Sequence, residues 1–170
     1  MSRQMLNPKR CVELEVLTMP IDAVATRIEN LAAGGDIATF DADAASHSEP
    51  DATVTRATSG HTITISKPPC DIPPLDEQAD SLLNWTLSGI EIRESILFAV
   101  TDYLVTQHPA IIDGETNTGV SMDATAQSCD LPITDVSRAI ANKHLLTGSG
   151  LVAYGSFFVG QPDPDGVQSG

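Results

Sequence analysis

The chain is poor in cations and in aromatic residues, and it has no long apolar run. Its 170 residues include 9 Lys and Arg against 23 Asp and Glu, which leaves a formal net charge of -14 at pH 7. A protein that coats nucleic acid without sequence preference needs a surplus of positive charge to neutralise phosphates, so this class is excluded. Aromatic residues make up only 4% of the chain, so the core has to be built mainly from aliphatic side chains.

Closely spaced cysteines are also missing. Cys11, Cys70 and Cys129 are far apart, which argues against a disulfide framework and a zinc cluster. The four histidines are equally scattered, so we expect neither a metal site nor a cofactor. The segment Met1–Cys11 is not followed by the apolar run of a signal peptide or membrane helix. We therefore expect a soluble, cytoplasmic protein without a membrane partner.

The first half of the chain combines helical and strand patterns, and the length fits one ordinary domain or two very small ones. Residues 12–33 have apolar positions at helical spacing, interrupted by a turn at 18–20, which predicts two short helices. Residues 36–51 are small and acidic and predict a loop. Alternating residues around a Gly-containing turn predict a β-hairpin over 52–66. Four prolines in 67–75 then end regular structure and indicate a module boundary.

Residues 76–107 have the strongest helical signal in the chain. Apolar residues form a nearly continuous stripe along this segment, and Pro109 ends it. The tail at 161–170 is rich in Pro, Asp and Gly, and we expect it to be disordered. The predicted organisation is a module with the β-hairpin over 1–75, a second module over 76–160, and this tail.

A further pair of short helices is predicted after the long helix. Ser121 or Asp123 can cap a helix that runs to about Ser128, and Thr134 can cap another that runs through Leu145. Two helices joined by a short turn form a helix-turn-helix, whose second helix enters the major groove of DNA. The predicted fold class is therefore mainly α with a small β-hairpin.

Four polar residues fall on the exposed side of the predicted second helix: Ser137, Arg138, Asn142 and Lys143. Hydroxyl, guanidinium, amide and ammonium groups are those that hold phosphates or read base edges. The same periodicity is equally typical of an ordinary solvated helix face. From periodicity alone, both interpretations stay open.

The segment DLPITDVSRAIANKHLLTGSGLVAYGSFF resembles the helix-turn-helix signature of the bacterial sigma-54 family of RNA polymerase sigma factors. The matching positions are Ser137, Arg138, Ala139, Asn142, Lys143, Thr147, Gly150, Phe157 and Phe158. The similarity is specific, because it includes residue types that a generic helix-turn-helix does not require.

The similarity continues upstream in the order that the family has. LLNWTLSGIEIRESILFAV resembles the segment before the family's helix-turn-helix, with the matches Trp85, Ile90, Glu91 and Arg93. EPDATVTRATSGHTITI resembles its Pro-Asp-led hairpin, with the matches Pro50, Asp51 and Val54. LTMPIDAVATRIENL is more weakly similar to the helix pair that precedes the hairpin in the core-binding domain. The resemblance covers about residues 14–160 of the chain.

This resemblance implies a mainly helical sigma factor, in which a remnant of the core-binding domain precedes the long helix and the helix-turn-helix. Such a factor docks on core RNA polymerase, contacts promoter DNA and is remodelled by an activator ATPase. Arg93 would lie on the long helix that controls DNA entry. Ser137, Arg138, Asn142 and Lys143 would lie on or near the recognition helix as DNA-binding residues. No set of nucleophile, base and orienting group indicates an enzyme.

The chain also departs from the family. An N-terminal activator-response region has no counterpart before Val12, and the box that reads the upstream promoter element would have to follow Phe158, so we expect a middle piece of such a factor. Asp130, Pro132, Ile133 and Asp135 stand where the family has Gly, His, Glu and Thr around the turn. Between Trp85 and Gly150 there are eight acids and three bases, so DNA contacts must form against repulsion.

Three functional hypotheses follow. The chain can retain part of a sigma factor's activity and contact core RNA polymerase and, weakly, promoter DNA. Alternatively, it is an interaction protein that modulates sigma-54 transcription as a competitor without reading DNA. The third alternative is a decayed paralogue.

Overall fold

The computed structural model describes residues 8–34, 49–68, 70, 81–116 and 118–159. The helices are α1 (Pro8–Leu17), α2 (Ile21–Ala32), α3 (Leu82–Gln107), α4 (Pro109–Ile112), α5 (Met122–Cys129) and α6 (Ile133–Ile140). The strands are β1 (Ala52–Ala57), β2 (Gly60–Ile65), β3 (Val120–Ser121), β4 (His144–Thr147), β5 (Gly150–Ala153) and β6 (Phe158–Val159). A 3-10 turn spans Tyr154–Phe157. The fold is mainly helical with a small sheet, as predicted at this level.

Four predicted features lie wholly or partly outside the described residues. These are the tail at 161–170, positions 36–48 of the acidic loop, and positions 69 and 71–75 of the proline-rich segment; positions 76–80 of the long helical segment also lie outside.

Helices α1 and α2 form a hairpin that packs on α3. The predicted turn between them is confirmed, because α1 ends at Leu17 and α2 begins at Ile21. Six buried apolar residues from the three helices and the α1–α2 turn form a common cluster: Val16, Met19, Val24, Ile28, Leu87 and Ile90. The two helices are therefore held by burial of one apolar face each.

Helix α3 is the central element, with 26 residues. The Oγ atom of Ser81 accepts a hydrogen bond from the backbone N–H of Asn84 at 3.2 Å, which is an N-cap. The helix ends at Gln107, before Pro109, as predicted. Within the described ranges, no helix has both the length and the apolar character that crossing a membrane requires.

Gly89 lies where α3 crosses α1. A Cβ atom at this position would be 3.0 Å from Cβ of Val16 and 3.1 Å from Cα of Glu13. Protein interiors are packed closely enough that such an atom would force the helices apart. Glycine therefore sets the distance between α1 and α3.

The predicted hairpin is present, but it belongs to a larger sheet. Strands β1 and β2 pair antiparallel around a two-residue turn between Ala57 and Gly60. The sheet has the order β2-β1-β4-β5. Strand β4 pairs parallel with β1, Ala52 opposite Leu145, and antiparallel with β5, Leu145 opposite Val152. A second, two-stranded sheet pairs β3 with β6.

Two short helices joined by a short turn, α5 and α6, lie where the helix-turn-helix is predicted. The hydroxyl of Ser121 caps α5 by accepting a hydrogen bond from the backbone N–H of Ala124 at 3.1 Å, as predicted. Asp130, with φ 56, ends α5 in the left-handed region. The prediction that Thr134 caps the second helix is wrong, because Pro132 occupies the N-cap position of α6.

The prediction that the second helix runs through Leu145 is also wrong. Helix α6 ends at Ile140, and Asn142 adopts a left-handed φ of 60, which a helix cannot continue through. Strand β4 follows because two other strands pair with it. One partner, β1, is distant in sequence, and the other, β5, follows β4. The periodicity of the β4 segment alone therefore does not indicate this pairing.

One hydrophobic core crosses the predicted boundary near residue 75. Leu17 and Val54 from the first predicted module are buried together with Leu97, Val136 and Tyr154 from the second. Strand β1 also pairs with β4 across this boundary. The two predicted modules therefore share a core and a sheet.

Gly89→Ala is expected to destabilise the fold, although alanine is the better helix former. The substitution gains about 1 kcal/mol in helix propensity, but overpacking in a closely packed interior costs about 1–3 kcal/mol. Urea unfolding should show a net loss. Gly148→Ala is the control, because a Cβ there meets nothing within 4 Å. A Gly89→Ala protein as stable as the parent would contradict the close crossing.

Candidate functional site

Arg93 lies on the long helix α3, as predicted, but its side chain is 0% exposed. Its Nη2 atom donates to Oδ1 of Asp51 at 2.6 Å, and its Nε atom donates to the backbone carbonyl of Met19 at 3.0 Å. Burial lowers the pKa of Arg93, while the carboxylate of Asp51 opposes this effect. A buried guanidinium needs such a counter-ion, because an unpaired buried charge is very costly.

Asp51 organises three separate segments. Besides Arg93, its Oδ1 atom accepts a hydrogen bond from the backbone N–H of Ile21 at 2.7 Å. Its Oδ2 atom accepts one from the backbone N–H of His144 at 2.8 Å. The first bond satisfies an N–H of the first turn of α2, where Pro20 provides no side-chain cap. The second fixes the start of β4 beside β1.

Lys143 and Asn142 contact the C-terminal end of α1. The Nζ atom of Lys143, whose residue is 1% exposed, donates to the carbonyls of Leu17 at 2.6 Å and of Ala141 at 3.1 Å. The Nδ2 atom of Asn142 donates to the carbonyl of Thr18 at 3.1 Å. Both side chains therefore point into the molecule from the segment that links α6 to β4.

We call Asp51, Arg93, Asn142 and Lys143 the α1 clamp. The side chains of Lys143, Asn142 and Arg93 donate hydrogen bonds to the carbonyls of three consecutive residues. In the same order, these are Leu17, Thr18 and Met19. The last carbonyls of a helix lack intrahelical partners and carry a partial negative charge. The clamp satisfies the carbonyl of Leu17, the last residue of α1, and the next two carbonyls in the turn with a guanidinium, an amine and an amide.

The clamp places two basic side chains, Arg93 and Lys143, near the single carboxylate of Asp51. Burial, followed by the nearby guanidinium of Arg93, lowers the pKa of Lys143 well below its usual value of 10.5. Asp51 acts in the opposite direction but more weakly. The two carbonyls that Lys143 contacts match the two N–H groups of a neutral amine. Folding therefore favours the uncharged form of this side chain.

The structure thus corrects the predicted exposed positions. Asn142 and Lys143 lie beyond the end of α6 and face the α1–α2 turn, and Arg93 is buried beneath the same turn. A basic residue that donates to buried carbonyls is not at the surface that DNA would contact. The placement of Asn142 and Lys143 on the exposed side of the second helix is therefore wrong, because both side chains donate to carbonyls at the end of α1 and in the turn that follows it.

Ser137 and Arg138 do lie on α6, and they are accessible. Ser137 is exposed, and the Arg138 side chain is 42% exposed. The Nη1 atom of Arg138 is 3.8 Å from Oδ1 of Asp135. The same oxygen is 3.9 Å from Nη2 of Arg10 in α1.

Arg10 is a residue that sequence reasoning missed at this surface. It lies in the first turn of α1, far from α6 in sequence, and the packing of α1 brings it beside Asp135 of α6. No local signal indicates this proximity. The central role of Asp51 was also missed, although it is one of the residues that carry the resemblance.

Other polar groups in the described ranges do not assemble a metal site. No group of three or more His, Cys, Asp and Glu residues there is placed to hold a metal ion. Cys11, Cys70 and Cys129 are all free thiols. Asp113 contacts Arg56 at 2.9 Å and His61 at 3.5 Å, and this cluster ties the hairpin to the segment after α4.

Replacing Lys143 with methionine should remove a pH dependence of stability. The folded pKa lies below the unfolded one, so between the two values the unfolded chain binds more protons and the stability of the parent rises with pH. The slope is at most about 1.4 kcal/mol per pH unit. Lys143→Met should give a flatter profile in urea unfolding over the alkaline range that ends at about pH 9.5, just below the pKa of an unfolded lysine. Burial raises the pKa of Tyr154, so that group titrates above this range.

Lys67→Met is the matched control, because the Lys67 side chain is 70% exposed. Its pH profile should have the slope of the parent protein. Parallel profiles for the parent and Lys143→Met would show that Lys143 stays charged on folding, and would contradict the neutral amine.

The candidate site consequently has two parts: the buried α1 clamp, and the accessible surface around Arg138. No protein-family model matches the chain, and no curated protein matches it either. A functional conclusion therefore depends on these two groups of residues and on the segments in which they lie.

Proposed function

We propose that the chain is a sigma-54-like transcription protein, without enzymatic activity, that contacts core RNA polymerase and, weakly, promoter DNA. Such a protein acts in the cytoplasm, where the polymerase is found, and an activator ATPase is a further partner. The observation that carries the proposal is the convergence of the similar segments in the α1 clamp.

All four similar segments contribute to the clamp. The hairpin segment contributes Asp51, the long-helix segment contributes Arg93, and the helix-turn-helix segment contributes Asn142 and Lys143. The weakest segment, LTMPIDAVATRIENL, contributes the carbonyls that receive the hydrogen bonds. A resemblance that arose by chance has no reason to select residues that contact one another. The contacts therefore support a common structural origin for these segments.

Within this proposal, the clamp holds the α1–α2 hairpin against α3 and the start of β4. This hairpin belongs to the part that corresponds to a core-binding domain, so a rigid attachment would fix the polymerase-binding part relative to the helix-turn-helix. Of the five residues predicted to bind DNA, Ser137 and Arg138 are the ones on the accessible face of α6, so they would make the DNA contacts. Few phosphate contacts mean weak and strongly salt-dependent binding.

A second candidate function is that of a competitor that binds core polymerase without reading DNA. The observation that favours it is the carboxylate of Asp135 beside the guanidinium of Arg138. A carboxylate at this position repels phosphate and competes for the only accessible cation of α6.

Retention of core RNA polymerase on the immobilised full chain, with and without promoter DNA, tests the proposal. We expect core polymerase to be retained in both cases and the DNA to be retained only weakly. Arg138→Ala should reduce DNA retention about fivefold or more, because each lost contact to a phosphate or base costs affinity. Arg56→Ala is the control, since it removes the same group from the β1 strand.

The remaining outcomes separate the alternatives. One outcome is that the chain retains core polymerase, and that Arg138→Ala and Arg56→Ala retain as much DNA as the parent. This outcome would overturn the DNA contact and support the competitor function. If the folded chain retains no core polymerase, both functions are overturned.

A further inference from the structure

The packing of α1 against α6 brings two arginines to one carboxylate. Arg10 in α1 and Arg138 in α6 approach the same oxygen, Oδ1 of Asp135, at 3.9 and 3.8 Å. The arginine side chains are 38% and 42% exposed, whereas the Asp135 side chain is 15% exposed. The two guanidinium groups therefore lie on one accessible surface, with the carboxylate between them.

Arg10 is further oriented from its own helix. Its Nη1 atom is 3.9 Å from Oε1 of Glu13, and the other oxygen of Glu13 accepts a hydrogen bond from Ser88 in α3 at 2.6 Å. Glu13 is thus held by α3 and helps to place Arg10 beside α6. The α1 clamp fixes the other end of the same helix.

We propose that Arg10 and Arg138 form a binding site for a phosphate of the DNA backbone, and that Asp135 occupies this site until a phosphate replaces it. The inference rests on the DNA contact of the proposed function and names the residues that make and restrain it. Arg10 supplies the second cation that α6 lacks.

The contacts of Asp135 suit a carboxylate that can be displaced. Both N–O distances exceed those of a hydrogen bond, and ion pairs whose arginines are this exposed contribute little to stability. An arginine binds phosphate through short, charge-assisted hydrogen bonds, often two at once. The binding free energy of a phosphate between the two arginines would therefore exceed the free energy lost when the carboxylate contacts break.

The carboxylate also lowers affinity as long as it stays. Together with Glu13 beside Arg10, it balances the two cations, and it adds a repulsive charge close to the incoming phosphate. Removing the charge of Asp135 should consequently increase DNA affinity through both arginines. Removing an acidic charge elsewhere in the helix-turn-helix should not have this effect.

Binding of the full chain to a short duplex, measured by fluorescence anisotropy without polymerase, tests the site. Asp135→Asn should tighten binding about five- to tenfold at low salt. Arg10→Ala or Arg138→Ala, added to Asp135→Asn, should cancel the gain and reduce the salt slope by about 1 each. Asp130→Asn is the control: it removes the same charge from the end of α5, close in sequence to Asp135 in α6, and asparagine tolerates the left-handed φ of 56 found there.

Inorganic phosphate serves as a competitor in the same titration. Displacement of the duplex by millimolar phosphate from Asp135→Asn, but not from Asp135→Asn with Arg10→Ala, would identify the shared phosphate chemistry at the arginine pair. Weak competition together with the expected arginine dependence would indicate that the extended DNA backbone is required.

Two results would overturn the inference. One is an Asp135→Asn protein that binds no more tightly than the parent; the other is an equal gain from Asp130→Asn, which would reflect net charge alone. Neither result bears on polymerase retention, so the failure of this site and the failure of the proposed function are distinguishable. Unfolding curves of each variant verify that the fold is intact.

Discussion

Helix α1 ends inside the molecule, and the rest of the structure depends on how its last carbonyls are satisfied. Leu17 and Met19 are buried there, so side chains of other elements provide the donors. Lys143, Asn142 and Arg93 supply them, and Asp51 balances the charge and binds the first turn of α2. Because Asp51 also binds the start of β4, the same group of contacts joins the helical hairpin, the long helix and the sheet.

This constraint separates two roles that look alike in sequence. Arg93, Asn142 and Lys143 are polar residues in a segment order that resembles DNA-binding proteins, but their side chains donate to the carbonyls of Met19, Thr18 and Leu17. Ser137 and Arg138 belong to the same segment and are accessible. A resemblance of this kind therefore combines residues that maintain the fold with residues that can meet a partner. For a chain with net charge -14, the distinction decides how much DNA affinity is expected.

Local sequence patterns predicted the elements that form within one stretch of the chain. They failed for the elements whose conformation depends on partners distant in sequence. The apolar stripe of α3, the turn between α1 and α2 and the β1–β2 hairpin are each contained in one stretch of sequence. Strand β4 is not, since β1 lies about ninety residues upstream. The burial of Lys143 follows from carbonyls 126 residues away. Periodicity cannot distinguish such a lysine from one on a solvated helix face.

The central claim is that the α1 clamp maintains the fold, whereas Arg138 does not. The most direct test compares the urea unfolding of Arg93→Met with that of Arg138→Met. The two substitutions make the same chemical change, the loss of one guanidinium group. Arg93→Met leaves the carboxylate of Asp51 buried and unpaired, so the free energy of unfolding should fall by about 3–5 kcal/mol. Arg138→Met should stay within about 0.5 kcal/mol of the parent. Equally small changes for both variants would contradict the account.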